Sequence, residues 1–162
     1  MRIGESMLAE WDQEMATTRR VLERVPTDKG DWKPHAKSFS LAHLAQLVSW
    51  IPGWVVTTIE KPDLNLAGGA GYSNESTAKL LELFDENVKR GREALAGVSD
   101  DALAQDWSLK MGDRVLMTQP RKVVVRQHVS HLVHHRAQLG VYLRLLDVPV
   151  PSMYGPTADE RW

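Results

Sequence analysis

The chain reads as an all-α protein, a four-helix bundle with a long connection between helices and an irregular C-terminal tail. Three observations predict this. Apolar residues recur at helical spacing through four long segments. Pro26, Gly30, Pro34, Pro62, Gly68, Gly97 and Gly112 punctuate the joins between those segments, while Pro52 falls inside one. Four histidines crowd one predicted helix, in Arg126-Gln-His-Val-Ser-His-Leu-Val-His-His-Arg136, and bundles build their polar sites from side chains on facing core helices.

The first helix is expected from about Glu5 to Val25, on the stripe Leu8, Trp11, Met15, Leu22 and Val25, and Pro26 ends it. Thr27 to Phe39 is a connection broken by Gly30 and Pro34. Ser40 is a good N-cap for the second helix, whose stripe is Leu41, Leu44, Leu47 or Val48, Ile51 and Val55. Pro52 inside that stripe predicts a kink or a break. Lys61-Pro62 closes the helix, and Asp63 to Ser73 reads as a Gly-rich loop. A third helix begins near Ser73 or Ser76 and runs past Leu80, Phe84, Val88 and Leu95 to Gly97. Ser99-Asp-Asp-Ala-Leu103 looks like a short capped helix. Trp107 to Met117 alternates weakly around Gly112-Asp113, as a small hairpin or a loop. Thr118 is the expected cap of the fourth long helix, with Pro120 in its first turn, and that helix continues to about Leu146. Asp147 to Trp162 holds three prolines and one glycine and reads as irregular.

The bulk numbers narrow the function. A chain of 162 residues fits one domain, 1–162, and is long enough to bury a full core. A net charge of −1 and the lack of any Lys/Arg tract argue against nucleic acid. No apolar run approaches the ~18 residues a membrane helix needs, and Met1-Arg-Ile-Gly-Glu5 lacks a signal-peptide pattern. With no cysteine, the chain has neither a disulfide nor its own thiol nucleophile, and it suits a reducing cytoplasm. No Gly-x-Ser-x-Gly elbow or phosphate-binding loop is present; Gly68-Gly-Ala-Gly71 lacks the Lys-Ser/Thr of a P-loop.

The histidines carry the sharpest chemistry. His131 and His135 are four apart, so on a helix they share one face a turn apart. Two imidazoles placed so can grip a divalent ion, and they can equally satisfy each other at a helix interface. His128 shares the face, as an alternative ligand or an orienting partner, while His134 is rotated away by about 100°. His43, early in the second helix, is the best further donor by chemistry. Trp50 and Trp54 lie along one strip with it, as a pocket wall or as core or dimer-interface packing. Arg136 would bind an anion or pair with a surface acid.

The run His131-Leu-Val-His-His-Arg-Ala-Gln-Leu139, followed by Tyr142-Leu-Arg-Leu-Leu-Asp-Val-Pro-Val-Pro151 and Tyr154-Gly-Pro-Thr-Ala-Asp159, resembles the DinB family. So does Asp31-Trp-Lys-Pro-His-Ala-Lys-Ser38 followed by Leu44-Ala-Gln-Leu-Val-Ser-Trp-Ile-Pro-Gly-Trp54. The resemblance covers nearly the whole chain. It implies a DinB-like bundle, usually a homodimer, with a divalent metal held by one histidine of the second helix and a His-x-x-x-His pair of the fourth. It also implies a small-molecule reaction, such as thiol-dependent transfer or hydrolysis.

His131 and His135 match that pair. At the second-helix ligand position, aligned on Leu44-Ala45 and Pro52-Gly-Trp54, this chain has Leu47. His43 lies one turn earlier, about 5–6 Å along the axis, and metal–nitrogen bonds of about 2.0–2.1 Å do not span that shift. Ala137 stands where the family commonly has glycine, and His128 where an apolar residue is usual.

Two functional expectations follow. In the first, a divalent ion, zinc or nickel, sits on His131, His135 and His43. It activates water or a low-molecular-weight thiol cosubstrate, with Leu47, Trp50, Trp54 and Tyr142 around the substrate. In the second, Leu47 closes the site, no metal binds, and the protein is a dimeric binding or stress-associated module with internally hydrogen-bonded histidines.

Overall fold

A computed structural model describes residues 1–69 and 71–161. Two short helices accompany four long ones: α1 (Ile3–Ser6), α2 (Leu8–Leu22), α3 (Leu41–Glu60), α4 (Thr77–Gly97), α5 (Asp100–Ala104) and α6 (Arg121–Leu145). A three-stranded sheet, β1 (Asp63–Asn65), β2 (Asp106–Met111) and β3 (Arg114–Pro120), is ordered β1-β2-β3. The fold is thus mostly helical; the sheet and the separate short α1 correct the all-α four-helix-bundle expectation, while α5 is the short helix expected at Ser99–Leu103.

The helix starts follow the serines. Ser40, Ser76 and Ser99 Oγ accept from the backbone N–H of His43, Lys79 and Ala102, taking one otherwise orphaned donor in each first turn. Thr118 does not cap α6. It lies in β3, where its hydroxyl pairs with Ser108 Oγ at 2.8 Å, because pairing runs on to Asp106 opposite Pro120. Pro120 then supplies the fixed φ that turns the strand into α6.

Pro52 neither breaks nor ends α3, which runs unbroken to Glu60. Asn87 Nδ2 of α4 donates to Ser49 O one turn earlier at 3.0 Å, and Gly53 leaves room for that amide. The hairpin turns on Gly112, whose positive φ of 59° suits the first central position of a two-residue turn. The expected Gly-rich loop begins instead as β1, paired in parallel with β2. Asn65 Oδ1 fastens this region by accepting from Ala67 N and Gly112 N, both at 3.0 Å.

The core lies where α3 packs on α4 and α6, around Trp11, Leu44, Ile51, Phe84, Leu132 and Leu139. One polar group crosses it: Arg136, 1% exposed, pairs with Glu14 at 2.7 Å and with Thr18 Oγ1 at 3.2 Å. Arg136 is therefore a buried strut and not the surface cation expected. Residues 147–161 are irregular as expected, yet pinned, with Glu160 paired to Arg20 and Arg24 and Asp159 to Arg144. Among the described residues no helix is long and apolar enough to cross a membrane.

Candidate functional site

The inward face of α6 brings His131 and His135 together. Their Nε2 atoms are 2.8 Å apart, and His135 Nδ1 lies 2.7 Å from Gln138 Oε1. An amide oxygen only accepts, so His135 carries its hydrogen on Nδ1 and presents a lone pair at Nε2. His131 Nε2–H then donates to that lone pair. Burial pushes both imidazoles below their ordinary pKa, for His131 with help from its histidine neighbours and for His135 against the pull of Gln138. The pair is held neutral and joined.

His128 lies one turn earlier on the same side of α6. Its Nε2 is 3.0 Å from Thr58 Oγ1 of α3, and its ring meets the edges of Trp54 and Trp107. Burial lowers its pKa to about 4. His134 is exposed, as its rotation predicted. His43 enters a different structure, stacked between Phe39 at 4.1 Å and Tyr72 at 3.6 Å, with Trp50 beyond Tyr72 at 4.9 Å. Burial, aided by His135 and Lys33, lowers its pKa.

This arrangement does not fit a three-histidine metal centre. Two nitrogens on one tetrahedral ion at 2.0–2.1 Å stand about 3.3 Å apart, whereas 2.8 Å is a hydrogen bond. Among the described residues no three His, Asp or Glu side chains come together in a metal-holding group. His43 is stacked between Phe39 and Tyr72 and belongs to no such group, and Leu47, 5% exposed, belongs to the apolar core.

A cavity of about 560 Å³ opens beside the pair. Trp50 and Trp54 of α3 form one wall, with His128 and His131 of α6 beside them. The sheet roofs it through Leu64, Trp107, Leu109 and Met117, and Tyr72 closes one side. Gln46 holds that side, donating to Ser73 Oγ and accepting from Ser73 N. None of the described lining residues is Asp, Glu, Lys or Arg. Of the four residues expected around a substrate, Trp50 and Trp54 line this cavity. Tyr142 and Leu47 lie outside the lining; Tyr142 is a core residue, edge-on to Trp32 with its hydroxyl donating to Phe39 O.

Several partners escaped the sequence reading. Gln138 sits three residues beyond His135 and was findable by that spacing. Thr58, Tyr72 and Trp107 carry no local signal, because only the tertiary fold brings them to the histidines.

The sequence matches the DinB family over residues 1–161, and the chain belongs to that family. Two solved structures share its fold. A DinB-like protein from Bacillus cereus is 21% identical, with a TM-score of 0.72 over 93% of this chain and 97% of that one. A DinB-like protein from Bacillus subtilis is 16% identical, with a TM-score of 0.69 over 91% and 97%. No curated protein matches the chain.

Proposed function

We propose that this DinB-family protein binds a small apolar molecule in the tryptophan-walled cavity, beside a self-satisfied histidine pair in place of a three-histidine metal centre. One observation carries the reading: the His131–His135 hydrogen bond opens beside an uncharged aromatic cavity of about 560 Å³. That volume lies within the range of small-molecule sites. A low-molecular-weight thiol bearing carboxylates finds no cation among the described lining residues, so the thiol-transfer expectation loses ground. A homodimer remains a proposal drawn from the resemblance.

The test is a fluorescence titration with naphthalene. Three tryptophans line the cavity, so binding gives a saturable change in their emission and raises the melting temperature. Trp54→Ala is expected to abolish both responses. Unchanged emission and melting in the unaltered protein would remove the proposal.

A second reading is favoured by Gln138. It holds His135 Nδ1 the way the outer nitrogen of a metal-bound histidine is held. On this reading the two histidines alone chelate a divalent ion. Metal uptake that is lost in His135→Ala is its signature.

A further inference from the structure

The proton order Gln138, His135, His131 follows from the amide oxygen at one end. It leaves His131 Nδ1 as a bare lone pair with no hydrogen-bond partner among the described residues. That atom is not among the sealed, unpartnered polar atoms, so it reaches open space, and His131 lines the cavity. None of the described lining residues is Asp, Glu, Lys or Arg. Trp50, Trp54, Trp107 and Tyr72 supply flat aromatic surface.

We infer that the cavity takes an uncharged planar aromatic molecule bearing a hydroxyl, whose O–H donates to His131. This rests on the cavity being the binding site. A hydroxyl can donate to His131, whereas an ether only accepts. A carboxylate entering here loses its hydration without a cation to replace it. A quaternary ammonium would have the aromatic faces but no anion, and would leave the His131 lone pair unmatched.

Calorimetric titration of the full chain with matched naphthalenes tests this. The expected result is one 2-naphthol per chain, bound about tenfold more tightly than 2-methoxynaphthalene, the span of one good hydrogen bond. 2-Naphthoate and a naphthyl trimethylammonium salt should bind more weakly than 2-naphthol. His131→Phe should erase the difference, so that the variant binds 2-naphthol no more tightly than 2-methoxynaphthalene. Equal binding of 2-naphthol and 2-methoxynaphthalene by the unaltered protein would overturn the inference while the cavity reading stands. Tightest binding of the carboxylate or the ammonium would overturn it too, again with the cavity intact. Failure of every naphthalene to bind would overturn the cavity reading and this inference together.

Discussion

Two buried groups make residue-scale predictions. His128 is held neutral by burial between Thr58, Trp54 and Trp107, with a pKa of about 4 against about 6.5 for a free imidazole. The fold therefore prefers its neutral form. That contribution is complete above about pH 6.5 and is lost as the pH falls toward 4, a gap worth roughly 3 kcal/mol. An NMR titration should show the His128 ring unchanged until near pH 4; a midpoint near 6.5 would contradict its burial. Glu14 and Arg136 form the second group. Removing one partner of a buried pair strands the other charge, so Glu14→Ala should lower stability by about 3–5 kcal/mol, read from the urea midpoint. Replacing both with apolar residues of similar volume should recover most of the loss. At this scale the sequence exposed the His131/His135 pair by its spacing but misplaced Arg136, since a lone cation on a helix does not announce a partner 122 positions away.

At the scale of elements, close approach between helices sets the tolerances. A methyl added at Gly91 in α4 would lie 2.5 Å from the Trp11 ring and 3.2 Å from Pro52 O. Neither neighbour is a flexible side-chain end, so Gly91→Ala should destabilise by about 1–3 kcal/mol despite its better helix propensity, as thermal unfolding would show. Ser76→Ala should cost about 1 kcal/mol by the same measurement, through loss of the α4 cap. The long helices and their serine caps were legible because both signals are local. β1 was not, because a three-residue strand has no measurable period and its partner β2 lies more than forty positions away. Thr118 misled because a capping residue followed by proline also fits the end of a strand. The hairpin was half-legible: Gly112-Asp113 marked the turn, but only pairing with β2 decided between strand and loop.

For the whole molecule, the helices supply a histidine face and the small sheet turns it into a site. Without β1, β2 and Tyr72, the tryptophans and histidines would line an open groove; with them they line an apolar cavity. The sequence made one wall legible, on α3 and α6, and left the roof unseen. The resemblance also implies a departure, Leu47 where a ligating histidine is expected, and the fold places Leu47 in the core. On the proposed reading, DinB ancestry does not bring the three-histidine centre with it. Elemental analysis of the purified protein after exposure to zinc, nickel and manganese tests this most directly, with His135→Ala and Leu47→His alongside. The predicted result is far less than one ion per chain in the unaltered protein and close to one in Leu47→His. About one ion per chain in the unaltered protein, lost in His135→Ala, would contradict it.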